Sequence, residues 1–229
     1  MTTPSRSPEP DATPRQALHQ AVMADHPDEV ADLVAADPAL AAGGHESSPL
    51  LVAIYRGRHE VIATLLAADP ALTLFEAAAL GVTDRVRELC TEDPAGVRAY
   101  TADGFSALHL ASFFGRTETV QALLDAGANV SGITQTDDET TPLHAAAGAL
   151  HPETCQLLID RGAPVNAQQA LGFTPLHLAA RYGDEDLARL LVAAGADPTI
   201  ESDHGKTAGD LAYEFEHDAL AAFLGRQRR

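Results

Sequence analysis

Four histidines, His19, His109, His144 and His177, carry the side chain that most often ligates a metal or moves a proton near neutral pH, and their recurrence suggests a line of ligands or bases. Asp137-Asp138-Glu139 offers carboxylates to a hard cation, and Cys90 and Cys155 are the two thiols. Either chemistry needs its groups to converge, and three consecutive acids at the tip of a turn splay apart. The chain has no G-x-S-x-G elbow, no H-E-x-x-H pair, no phosphate-binding G-x-x-x-x-G-K-[ST] loop, no G-x-G-x-x-G turn and no paired C-x-x-C. These residues predict no enzyme, no cofactor and no metal.

The elements that position the histidines recur. Thr174-Pro175 is a helix start: the hydroxyl accepts from an early orphan N–H, and proline at the first helical position forfeits no hydrogen bond. Leu176, Ala179 and Ala180 share one face of a short helix that Gly183 breaks. A second helix starts near Asp184, places Leu187, Leu190 and Leu191 on one face, and ends at Gly195. Such a pair cannot bury its apolar side alone, so copies must stack.

Equivalents of Gly183 fall at Asp25, Gly57, Gly81, Gly115, Leu150 and Glu216, with spacings of 32, 24, 34, 35, 33 and 33 along the series, which predicts seven units. Three residues after these markers stand Asp28, Glu60, Asp84, Glu118, Glu153 and Asp186, acids that suit the first turn of the second helix. Where later units close with Gly127-Ala128, Gly162-Ala163 and Gly195-Ala196, the first three have Asp37-Pro38, Asp69-Pro70 and Asp93-Pro94. The helix-opening segment reads Ser106-Ala107-Leu108-His109, Thr141-Pro142-Leu143-His144 and Thr174-Pro175-Leu176-His177, with Ser48-Pro49-Leu50-Leu51 a weaker copy.

This T-P-L-H-x-A segment at a period near 33 resembles the ankyrin repeat family, over roughly residues 15 to 229. The resemblance implies an all-α repeat solenoid of about seven helix-turn-helix units with short β-hairpin fingers, at residues 15–46, 47–72, 73–100, 101–134, 135–168, 169–201 and 202–229, behind a disordered tail of residues 1–14. Fingers are expected around Gly43-Gly44, Asp103-Gly104, Asp137-Asp138-Glu139, Leu171-Gly172 and His204-Gly205. None fits in the 24-residue spacing, where Thr73-Leu74-Phe75-Glu76 reads as a capping box. Gly205 to Ala212 resembles a closing repeat, with Asp210 where histidine is usual. All four histidines are expected at one inner-helix position, where the family's imidazole bonds the backbone of the adjacent hairpin.

The family's concave groove is its usual binding face. Seven aromatics fall on groove positions: Phe105 and Phe173 before the helix start, and Tyr55, Phe113, Phe114, Tyr182 and Phe215 at the end of the inner helix. Adjacent Phe113 and Phe114 cannot both enter one helix interface. With Arg56 and Arg181 beside the tyrosines, the set has the composition of a binding hot spot. The implied role is a scaffold that binds another protein; the alternatives are an acidic decoy or chaperone masking a basic partner, and an enzyme with an unrecognised site among the fingers.

The net charge of −18 is spread evenly, with 7 basic and 15 acidic residues up to residue 100 and 8 and 18 after it, which disfavours nucleic acid or an anionic membrane as ligand. No run is long enough for a membrane span and no apolar leader occurs at the start. The two cysteines, two repeats apart, read as buried apolar residues. A cytoplasmic monomer is expected, and one Lys against fourteen Arg points to a GC-rich bacterial genome.

Overall fold

The computed structural model describes residues 13–42 and 48–226. The chain forms two compact units, residues 1–76 and 77–229. Of the expected tail, residues 1–14, the first twelve lie outside the described residues, as does the expected finger at Gly43-Gly44, whereas Thr13 caps α1 and Pro14 opens it, so the helix begins inside the stretch expected to be disordered.

The first unit contains α1 (Pro14–Ala24), α2 (Pro27–Ala36), α3 (Pro49–Tyr55), α4 (His59–Ala67) and the first turn of α5 (Leu74–Leu80). α1 packs on α2 and α3, and α4 on α2 and α3. Leu18, Val22, Val30, Leu50, Ala53, Val61 and Leu65 are sealed between them. Proline opens α1, α2 and α3, where its missing N–H costs nothing.

The rest of α5 begins the second unit, followed by α6 (Thr83–Glu92), α7 (Ala107–Phe113), α8 (Thr117–Asp125), α9 (Pro142–Gly148), α10 (Pro152–Asp160), α11 (Pro175–Tyr182), α12 (Glu185–Ala193), α13 (Ala208–Glu214) and α14 (Asp218–Arg226). The inner helices α7, α9, α11 and α13 pack in succession, the outer helices α6, α8, α10 and α12 do likewise, and each inner helix lies on its own outer partner. Ala107, Ala111, Ala146, Ala147, Ala179 and Ala180 are fully buried, so inner helices approach closely at alanine. Leu108, Leu123, Leu143, Leu158, Leu176, Leu187 and Leu191 fill the layers, at roughly 2 kcal/mol for each buried leucine.

All seven marker residues have left-handed backbone: φ is 61° at Asp25, 63° at Gly57, 82° at Gly81, 63° at Gly115, 61° at Leu150, 75° at Gly183 and 63° at Glu216. The residue after the marker explains which of them must be glycine. A Cβ on Gly115 would lie 2.6 Å from the His151 ring, and one on Gly183 2.5 Å from the His217 ring. In register with Leu150 stands the shorter Asp184, which turns to accept from the Leu187 N–H at the start of α12. The acids three residues beyond the markers all sit in first turns, from Asp28 in α2 to Asp186 in α12.

The fingers are shorter than the expected β-hairpins. Among the described residues there is no strand, only bridges joining Tyr100 to Ser106 and Glu201 to Thr207. Across each finger runs a backbone bond, Thr101 N to Phe105 O, Thr134 N to Thr140 O, Gln169 N to Phe173 O and Ser202 N to Lys206 O, all 2.9 Å. The next finger then donates to the one before it: Gln135 N to Gly104 O at 2.8 Å, Ala170 N to Asp138 O at 2.9 Å and Asp203 N to Leu171 O at 3.0 Å. Gly104 permits this approach, since its Cβ would lie 2.8 Å from the Gln135 backbone. Residues 70–73 lead straight into α5, and the Thr73 capping box forms, with Thr73 N and Oγ1 donating to Glu76 at 2.7 and 2.8 Å.

Equivalent positions should therefore respond with opposite sign. Gly183→Ala is expected to cost about 2 kcal/mol through the left-handed backbone and the displaced His217, whereas Leu150→Gly should stabilise by about 0.5 kcal/mol. Urea unfolding of both variants checks this, and a loss at both positions would refute it.

Candidate partner-binding face

The histidines prove to be bonds between layers. In α7, α9 and α11 the N-cap hydroxyl accepts from the backbone N–H three residues on, and the imidazole of that third residue faces back: Ser106 Oγ to His109 Nδ1 is 2.7 Å, Thr141 Oγ1 to His144 Nδ1 2.8 Å and Thr174 Oγ1 to His177 Nδ1 2.8 Å. The far nitrogen of each lies against a carbonyl of the next finger, Thr140 at 2.9 Å, Phe173 at 3.0 Å and Lys206 at 3.0 Å. A carbonyl only accepts, so Nε2 carries the proton and Nδ1 accepts from the hydroxyl, with no lone pair left for a metal. Among the described residues no group of three His, Cys, Asp or Glu side chains could hold a metal ion. Burial pushes all three imidazoles below their ordinary value, His144 to about 4.

His19 does not belong to this series. It keeps the spacing to its marker, but α1 starts one turn earlier than the other inner helices, so Gln16 holds the capping position that histidine holds elsewhere. His19 is exposed in mid-helix. Asp210 does take the histidine's place in α13, accepting from Thr207 N and Oγ1 at 2.9 and 2.6 Å. Cys90 and Cys155 are free and buried, and burial pushes their thiols up, Cys155 to about 12, which leaves no thiolate nucleophile.

A second set of interlayer bonds escaped the sequence. The residue after the marker reaches back to a carbonyl at the end of the preceding inner helix: Arg116 Nε to Ala79 O at 3.1 Å, His151 Nε2 to Phe113 O at 3.0 Å, His217 Nε2 to Arg181 O at 3.3 Å. Those carbonyls are among the orphans every helix end leaves. These bonds hold the backbone from which the candidate binding residues project.

In the second unit, Phe113 is 50%, Tyr182 51% and Phe215 44% exposed, each at the end of an inner helix. Phe114 is half-buried and meets Phe113 edge to face at 5.1 Å, so the adjacent phenylalanines divide as side-chain geometry requires. The exposed Arg181 lies 5.9 Å from the Tyr182 ring and 5.6 Å from the Phe215 ring, a cation held between two aromatic faces. Between the Phe113–Phe114 pair and Tyr182, the same positions of α9 hold Gly148 and Ala149, a low step between aromatic walls. Phe105 and Phe173 are half-buried in the fingers, Phe173 with its ring 5.7 Å from that of His177. In the first unit, Tyr55 is 39% exposed and Arg56 lies open beside it. Sequence reasoning missed Tyr213, at 73% the most exposed large apolar residue among those described. Its register position is filled by buried Ala147 and Ala180 in preceding layers, and only its place in the final layer signals exposure.

A family model described as ankyrin repeats (3 copies) matches residues 68–133 and 129–202, more than half of the chain. No curated protein matches. The helix pairs α1–α2, α3–α4 and α13–α14 fall outside the matched residues, yet carry the same left-handed marker between their two helices.

His144 gives the stack an acid-sensitive bond. The unfolded chain binds its proton near pH 6.5 and the folded chain only near 4, so stability is complete above pH 6.5 and falls as pH drops toward 4, by roughly 3 kcal/mol for this residue. His144→Ala is expected to lose about 1–2 kcal/mol at pH 7 and to unfold with a shallower pH dependence between 6.5 and 4. Urea titrations at pH 7 and 5 measure both, and an unchanged pH slope would remove His144 from this role.

Proposed function

We propose, from the premise that the chain belongs to the ankyrin repeat family, that it is a scaffold binding another protein through the face built by its inner helices and fingers. Ankyrin repeats generally mediate protein–protein interaction, and the family is typically non-enzymatic. The observation that carries the proposal is the exposure of Tyr182 and Phe215 at one register position at the ends of α11 and α13, with Phe113 exposed one residue earlier in its layer at the end of α7; Ala149 and Leu80 occupy the register position of Tyr182 and serve the fold equally well. Rigid aromatics flanked by arginine bury much area at little cost in side-chain order. Arg56 with Tyr55 extends the same composition to the first unit, and Phe105 and Phe173 supply apolar flanks at the fingers.

The mechanism is presentation of a preorganised surface. The two sets of interlayer bonds fix the helix ends, so little backbone entropy remains to be lost on association. Among the described residues no helix is long and apolar enough to cross a membrane. The free, buried cysteines support a reducing compartment, and the proposal is of a cytoplasmic monomer.

Phe113→Ala combined with Phe114→Ser tests this. Partner capture from lysate is expected to fall at least tenfold, while exposed Phe113 and half-buried Phe114 hold the loss of stability to about 1–2 kcal/mol. Capture that is unaffected by the pair, or a collapse of stability with capture intact, would show that these rings serve the core and not recognition. Repeating the capture in moderate and high salt separates aromatic docking, which persists, from charge masking, which fades.

A further inference from the structure

The acids of this chain are not equally occupied. On the outer helices arginines answer part of them, Arg87 bonding Asp84 at 2.9 Å and Glu118 at 3.1 Å, Arg161 bonding Asp125 at 2.8 Å and Arg189 bonding Glu185 at 3.3 Å, while Glu153, Asp160 and Asp186 stand without an arginine among the described residues. The fingers have no such answer. Asp103, Asp137, Asp138, Glu139 and Asp203 are all exposed, and none is in an ion pair among the described residues. Among the described finger residues Lys206 supplies a cation, and it is taken by Glu214 at 3.5 Å.

This uncompensated edge runs along one side of the aromatic face. Each finger leads directly into the N-terminus of an inner helix, and Phe113, Tyr182 and Phe215 stand at the other end of helices seven or eight residues long. The inner helix alone puts about 10 Å between its start and the aromatic row, and the carboxylates lie beyond that start in the fingers. Within the aromatic row, between Phe113 and Tyr182, lies the step at Gly148 and Ala149.

We propose that this face takes a segment of a partner protein bearing lysine or arginine side chains along the finger edge and a bulky apolar side chain seated over Gly148 and Ala149, between Phe113 and Tyr182. The inference rests on reading the face as a protein-binding surface and adds the chemistry of the occupant. Opposite charge steers and orients such a segment, and the apolar anchor supplies the buried contact. A second copy of this chain would bring the same unpaired carboxylates against one another. Nucleic acid would meet carboxylates where its phosphates need cations.

The register supplies a clean variant. Ala149 occupies the position that Phe114, Tyr182 and Phe215 fill in other layers, so Ala149→Tyr should fold normally and fill the step. Asp137→Asn with Asp138→Asn and Glu139→Gln removes finger charge from exposed side chains. A random peptide library is selected on the immobilised full chain, and enriched peptides are measured by fluorescence anisotropy against each variant at 50 and 300 mM salt.

Expected are peptides enriched in both Lys/Arg and aromatic or branched apolar residues. Each variant should bind them at least tenfold more weakly at low salt, the charge variant should show a flattened salt dependence, and thermal midpoints should be unchanged. Neutral or acidic peptides that Ala149→Tyr nevertheless blocks would overturn the cationic occupant and leave the docking face standing. No enrichment, or peptides that bind every variant alike, would overturn both. Concentration-dependent dimerisation abolished by Ala149→Tyr would give the face to a second copy and end the proposal.

Discussion

Everything above the level of a single helix depends on a side chain that has to satisfy two backbones at once. The hydroxyl of Thr141 caps α9, orients His144, and so aims an N–H at the carbonyl of Phe173 in the next finger. Helix initiation and interlayer adhesion are one bonded chain, buried at Thr141 and His144, and an unpaired member would cost more than the bond contributes. A histidine in this setting has spent its chemistry on geometry. Its depressed basicity follows from burial and has no catalytic purpose.

A second set of bonds runs in the opposite direction. His144 points forward to the following layer, while His151 points back to the carbonyl of Phe113. One set ties the finger side of the stack and the other the far ends of the inner helices. Phe113 and Phe114 therefore project from a backbone fixed at both ends of its helix, which is what a surface needs if it is to recognise without reorganising.

How much of this the residues announced differs by cause. The seven turning points were legible because left-handed backbone favours glycine, and once four glycines set the phase, Asp25, Leu150 and Glu216 followed by counting. Counting from the turn also produced the error at His19, because a helix can gain a turn at its start without disturbing its end. The backward bonds were not legible at all. Arg116, His151 and His217 are not all one residue type and have in common only an N–H at the right reach, and a motif defined by letters cannot see a shared length. Glu76 shows the converse: the capping box was read from Thr73, but not that its other oxygen would accept from Ser48 in the preceding repeat.

The two directions of bonding also govern how such a chain can lengthen or shrink. Excising one whole period from the second unit keeps the phase of the joints, with a histidine still facing a finger carbonyl and, wherever the residue after the marker is Arg116, His151 or His217 and not Asp184, a backward donor facing a helix end. Removing half a period strands one of each in the interior. Inheritance by duplication is thus restricted to complete periods, and the copies are free to drift apart on their open face while their joints stay alike.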